Sequence, residues 1–251
     1  MTRPAFQAYG EGPPVLLIHG TAADSSTWAM QVRSLAAHCQ LLTWNRQAHD
    51  SVEAHVADAL ALLREVFGKP CVGVGSSFGG VVALELARRH PEWLSGLLLL
   101  EPPLRPNDDE SAVPDWFSTR FDALLREGRG EEAAEYFLRT VLGDAAFERM
   151  PKAYQQKSLS LWRNIQHDTL ALKAYRVHYA QLKNIEVPTL LLGGENSAPF
   201  YRPTLEALEQ ALGNASLEFV PNAGHMMHAE AHRAFNARLL DFLRSVSLPS
   251  A

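Results

Sequence analysis

The chain has 251 residues, 47% of them hydrophobic and 20% charged, with a formal net charge of −5. A net negative chain lacks the basic surface that phosphate neutralisation demands, so a nucleic-acid partner is not expected. The densest apolar run, Gly96-Leu97-Leu98-Leu99-Leu100, stops at Glu101 and two prolines, far short of the roughly 18 to 20 residues of a membrane span. Met1-Thr2-Arg3-Pro4-Ala5 offers no apolar stretch for a secretory signal, and a cytoplasmic location is expected. The two cysteines, Cys39 and Cys71, each open an apolar run, which reads as buried free thiols rather than a disulfide framework.

In chain order, Val15–Ile18 reads as a strand that ends at His19-Gly20, and Gln40–Trp44 as a second. Val52 to Phe67 repeats apolar residues at helical spacing, and Gly68-Lys69-Pro70 stops it. Cys71–Val74 is a third strand, Val81–Arg89 a helix and Leu97–Leu100 a fourth strand. These strands are apolar throughout rather than alternating, as in parallel sheets covered on both faces. The alternation then breaks. From Pro102 to Val187 no good strand is found, only helical stretches over Trp116–Arg126, Glu131–Leu142 and Tyr154–Leu182, the last in one or two pieces. Asp108-Asp109-Glu110 reads as a solvated loop. Alternation resumes with a strand at Pro188–Leu192, a helix at Thr204–Leu212, a strand at Leu217–Val220 and a last helix over Ala229–Val246. The expected architecture is therefore one α/β core from residues 1–103 and 188–251, a mostly parallel sheet with helices on both faces, interrupted by a helical cap at 104–187.

Three motifs fall at the ends of predicted strands, the edge where sites form in parallel sheets. Gly75-Ser76-Ser77-Phe78-Gly79 is a G-x-S-x-G sequence between a strand and a helix. There the abrupt bend lifts the serine hydroxyl clear of the sheet, and the start of the helix brings the Phe78 N–H beside a reacting carbonyl. His19-Gly20-Thr21 ends the first long strand, and the Thr21 N–H is the expected second oxyanion donor. Asn222-Ala223-Gly224-His225 follows the last strand. A serine hydroxyl needs an adjacent base, and an imidazole suits that task. His228 and His232 raise a metal reading, but the H-E-x-x-H order is missing and no cysteine or carboxylate cluster joins them. No metal or other cofactor is expected.

Taken together, the HG turn, the G-x-S-x-G elbow, the helical insertion and the late G-H pair resemble the α/β-hydrolase superfamily over most of the chain. The resemblance implies an α/β-hydrolase fold with a sheet of about six to eight strands, its first strands missing or very short here. It implies a serine hydrolase with Ser77 as nucleophile, His225 as base and Thr21 and Phe78 as oxyanion donors. The acid departs from the family's commonest pattern. Ser197 stands where a G-x-x-D aspartate is usual, in Gly194-Glu195-Asn196-Ser197. Glu101, directly after the strand Leu97–Leu100, and Glu195 are the two replacements. Glu101 is preferred, because some branches, haloalkane dehalogenases among them, carry their acid after that strand. The nine aromatics of the cap (Trp116, Phe117, Phe121, Tyr136, Phe137, Tyr154, Trp162, Tyr175 and Tyr179) are mostly core at helical spacing. Those that reach the site favour a small apolar substrate held through an ester-type bond. An acyltransferase or lyase on the same residues, or a binding protein without turnover, are the competing readings.

Overall fold

The computed structural model describes residues 4–106 and 111–247. Asp108-Asp109-Glu110 lies outside the described residues. In chain order the core begins with β1 (Phe6–Tyr9), β2 (Pro14–Ile18), α1 (Ala29–Leu35), β3 (Gln40–Trp44), α2 (Val52–Val66), β4 (Cys71–Ser76), α3 (Phe78–Arg89) and β5 (Leu94–Leu100). Six helices follow: α4 (Asp115–Arg126), α5 (Gly130–Leu142), α6 (Asp144–Arg149), α7 (Lys152–Ser160), α8 (Trp162–Ala174) and α9 (Tyr179–Leu182). The core resumes with β6 (Thr189–Gly194), α10 (Tyr201–Ala211), β7 (Ala215–Val220), α11 (Met227–Glu230) and α12 (His232–Ser247).

The strands form one seven-stranded sheet in the order β1-β3-β2-β4-β5-β6-β7. β1 runs antiparallel to β3 and every other pairing is parallel. Central strands β4 and β6 are buried at every position. Edge strand β7 alternates between half-buried and exposed before Val220, because one of its flanks has no neighbour. Two apolar layers flank the sheet. One packs α2, α3 and the helical segment against residues such as Leu16, Leu42, Leu97 and Leu99. The other packs α1 and α12 against Val15, Leu41, Val74, Leu98 and Leu192. Consecutive residues of one strand enter opposite layers, which is why these strands read as unbroken apolar runs.

β1 is a very short first strand of four residues, and Phe6–Tyr9 carries no apolar pattern because it is an edge strand with exposed central residues. Several elements differ from the sequence expectation. The stretch Tyr154–Leu182 is three helices rather than one or two, and α6 precedes them. The last helix is divided at Ala231, whose backbone (φ −119, ψ 40) leaves the helical region. Cys39 and Cys71 are free and buried, and burial pushes their thiols up to about 11 and about 12. Among the described residues, no helix is long and apolar enough to cross a membrane.

Candidate active site

Because β2, β4, β5, β6 and β7 are parallel, their C-terminal ends share one edge of the sheet. Among the described residues, the non-glycine residues with positive φ are Ala22, Ser77, Glu101 and Asn222 (φ 59, 52, 42 and 58). Each lies just beyond the end of β2, β4, β5 or β7, and backbone strain of this kind costs about 1–3 kcal/mol per residue. Such strain persists only where the surroundings over-determine it.

Ser77 is the bend between β4 and α3. Its N–H donates to Leu100 O at 2.8 Å, and its own carbonyl accepts from Gly80 N–H at 2.7 Å. The bend is tight because two flanking residues lack a side chain. A Cβ on Gly75 would sit 2.3 Å from Gly79 O, and one on Gly79 would sit 2.3 Å from Ile18 O. The same closeness brings the end of β2 against the elbow, so that a Cβ on Gly20 would lie 3.0 Å from Ser77 Cβ. Thr21 and Phe78 therefore flank Ser77 from the two neighbouring strand ends. Neither the Thr21 N–H nor the Phe78 N–H has an acceptor among the described residues outside α3 itself.

Glu101 and His225 are brought together. Both are buried, at 1% and 5% exposure. Glu101 Oε1 accepts the Gly194 N–H at 2.8 Å, and its Oε2 lies 2.6 Å from His225 Nδ1. With both carboxylate oxygens acting as acceptors, the imidazole carries its proton on Nδ1 and leaves the Nε2 lone pair bare. Glu195 is not at this point. It is exposed, and its Oε2 accepts the Asn222 N–H at 3.2 Å, which pins the loop that carries His225. Ser197 is half-buried and its Oγ has no hydrogen-bond partner.

Tyr201, at the start of α10, was not anticipated from the sequence. Its ring stacks on His225 with centroids 4.5 Å apart and planes 10° apart. Its hydroxyl lies 3.3 Å from His225 Nε2. In a stacked pair that oxygen sits above the imidazole face, whereas the Nε2 lone pair lies in the ring plane. The contact is therefore packing that fixes the ring, and the lone pair remains available. Burial, and after it the Glu101 charge, holds the Tyr201 phenol well above its ordinary value. Ser77 Oγ has no hydrogen-bond partner among the described residues.

A cavity of about 610 Å³ opens over this edge. Gly20, Thr21, Ser77 and His225 form its floor, and α5 to α7 supply Phe137, Leu138, Val141, Leu142, Met150 and Tyr154. Of the aromatics in the helical segment, only Phe137 and Tyr154 reach it. Phe117 stacks on Phe121 and Tyr136 inside the segment. The histidines raised as metal ligands do not converge. His225 faces Glu101, while His228 turns Nε2 to Thr27 Oγ1 at 2.9 Å and lies beneath Trp28.

Similarity to known proteins follows the same outline. The chain is 26% identical over 95% of its length to an uncharacterized hydrolase of Bacillus subtilis, covering 91% of that protein. It is 26% identical over 95% of its length to a pimeloyl-[acyl-carrier protein] methyl ester esterase of Nitrosospira multiformis, covering 97% of it. An alpha/beta hydrolase from Sphaerobacter thermophilus superposes with a TM-score of 0.81 at 26% identity, covering 95% of both chains. Residues 15–238 match the profile of the Alpha/beta hydrolase family. The chain belongs to the alpha/beta hydrolase family.

Proposed function

We propose that the protein is a serine hydrolase that cleaves an ester-type bond of a small apolar substrate through an acyl-enzyme. Ser77 is the nucleophile, His225 the base and Glu101 the acid that orients it. Residues 104–187 act as a cap over a core made of 1–103 and 188–251. The observation that carries this reading is the pairing of Glu101 with His225 Nδ1 at 2.6 Å in a cavity whose floor also holds the strained Ser77. The carboxylate stabilises the imidazolium that forms when Nε2 takes the Ser77 proton.

In the first half-reaction Ser77 Oγ bonds to the carbonyl carbon and its proton passes to His225 Nε2. The carbonyl oxygen becomes an oxyanion held by the Thr21 and Phe78 N–H groups, each worth about 3 kcal/mol in comparable sites. The intermediate collapses, the alcohol leaves with the proton from His225, and Ser77 is acylated. Water then repeats the sequence, with His225 taking its proton, and releases the acid. The apolar wall supplied by α5 to α7 suits an aliphatic or aryl group. The Nitrosospira relative, named as a methyl ester esterase, supports an ester over other acyl bonds.

The test is labelling with a fluorophosphonate probe, followed by peptide mapping. The expected result is one adduct, on Ser77, that is lost in Ser77→Ala. Labelling elsewhere, or none with folded protein, overturns the assignment.

A further inference from the structure

Against the Gly20–Thr21 peptide lies a second buried polar cluster whose charged members, Arg46 and Asp168, the mechanism above does not use. Arg46, after β3, and Asp168, on α8, form an ion pair at 2.8 Å with side chains only 4% exposed. The pairing is bidentate, with Nη1 to Oδ1 at 2.9 Å and Nη2 to Oδ2 at 2.8 Å. Burial would raise the Asp168 carboxyl, but the Arg46 charge and its hydrogen bonds hold it below the usual carboxylate value.

Two further donors of this guanidinium bind the loop after β2. Arg46 Nε donates to His19 O at 3.0 Å and Nη2 to Gly20 O at 3.0 Å. His19 Nε2 accepts the Arg46 backbone N–H at 3.1 Å, so its Nδ1 is the donor to Gly20 O at 2.8 Å. Asp168 Oδ2 also accepts the Thr21 hydroxyl at 2.7 Å. On its other side, the guanidinium lies over the Phe78 ring, 4.7 Å from the centroid.

The geometry of one peptide unit gives this cluster a consequence. In a trans peptide the C=O of Gly20 and the N–H of Thr21 point in opposite directions within one plane. Fixing the Gly20 oxygen with two donors, and the Thr21 side chain with a third bond, fixes the direction of the Thr21 N–H. We propose that Asp168 is a positioning residue for the oxyanion hole: through Arg46 and Thr21 it holds the Gly20–Thr21 peptide so that the Thr21 N–H faces the reacting oxygen. This inference rests on the hydrolase reading above. It also gives the helical segment a part in the chemistry beyond forming a roof, since α8 must be docked for the hole to be complete.

The competing account is that the pair only anchors α8 to the core. Three proteins and two substrates separate the accounts: wild type, Asp168→Asn, and the apolar double variant Arg46→Met/Asp168→Leu. Each is assayed on phenyl acetate and on its thiono analogue, in which sulfur replaces the carbonyl oxygen and accepts hydrogen bonds poorly. Exchange of a buried pair for apolar residues of similar volume commonly preserves stability, so the double variant keeps the test open if Asp168→Asn is poorly folded. Both variants are expected to lose about 10- to 100-fold in kcat on the oxygen ester, part of what deleting a whole donor costs, with KM within about threefold. The preference for oxygen over sulfur falls by a similar factor. A folded double variant with wild-type kcat and wild-type preference would reduce the pair to an anchor and overturn the proposal. A wild type that is labelled at Ser77 and turns over while the variants match it rejects the positioning role alone. A folded wild type inert to both the probe and the esters rejects the hydrolase reading, and this inference falls with it.

Discussion

Glu101 Oε2 and His225 Nδ1 are 2.6 Å apart across 124 residues of chain. Each is presented by a loop that leaves the same edge of the sheet. Both oxygens of Glu101 are committed as acceptors, one to His225 and one to the Gly194 N–H. An amide cannot serve both, since its NH₂ must face one of the two donors.

Glu101→Gln is therefore expected to reverse the His225 tautomer and place the proton on Nε2, where it blocks attack. The loss in kcat is up to about four orders of magnitude. Glu195→Gln touches only the Asn222 N–H and is expected to stay within a few-fold of wild type. Comparing kcat of the two purified variants on one aryl ester, with circular dichroism to verify folding, checks this. The reverse ranking would assign the acid to the later loop.

Ser77 carries φ 52 and ψ −124, a conformation that a Cβ makes unfavourable. Ser77→Ala keeps the Cβ and with it the strain, so its stability is expected to match wild type. Ser77→Gly removes the strain and is expected to be more stable than Ser77→Ala by about 1 kcal/mol. Urea unfolding of both variants measures the difference; a less stable glycine variant would mean that the bend is not strained.

Acid stability follows from histidines held neutral in the interior. Burial and then the Arg46 charge lower His19 and His55 from 6.5 to about 3. Burial and then His225 lower His228 to about 3. Below pH 6.5 the unfolded chain binds protons that the folded chain refuses, so stability is lost as pH falls from about 6.5 toward 3. Each such group contributes a limiting slope of about 1.4 kcal/mol per pH unit, and three give about 4 kcal/mol per pH unit. Lowered Asp168 and Glu85 add losses of the same sign below their ordinary values, near pH 4. Denaturant melts at half-unit pH steps test this: His228→Gln is expected to remove about one proton's share of the slope. A flat profile from pH 7 to 4.5 would contradict the burial assigned to these rings.

The cavity wall sets the length of chain that fits. Val141 on α5 lines the cavity without belonging to the floor. Val141→Phe is expected to lower kcat/KM by about tenfold or more on long-chain aryl esters, while acetates change little. An equal loss on both would mean that the substituted residue disturbs the floor instead.

How much of this was legible in the sequence depended on how far apart the cooperating residues lie. Strands β2 to β6 were readable because burial on both faces leaves a nearly unbroken apolar run, as in Leu97–Leu100 or Leu190–Leu192, whereas β7 alternates half-buried and exposed residues. Phe6–Tyr9 gave no such run, since β1 pairs along one flank only. Ser77 was readable because the bend demands glycines at fixed offsets. Glu101 was readable as a candidate through its place at the end of a buried strand together with the resemblance to branches that carry their acid there. Arg46 and Asp168 carry no local pattern; they are 122 residues apart, and only the docking of α8 joins them. Tyr201 likewise looks like an ordinary helix-starting residue until α10 lays its ring on His225.

The central claim is an acyl-enzyme on Ser77, and the most direct measurement is to trap it. The protein is mixed with excess aryl ester, quenched in acid within the first turnovers and analysed by intact and peptide mass spectrometry. The account predicts a mass increase equal to the acyl group, confined to the peptide that contains Ser77 and absent from Ser77→Ala, whose turnover is abolished. An acyl group on another residue, or a Ser77→Ala variant that retains turnover within tenfold of wild type, would contradict it.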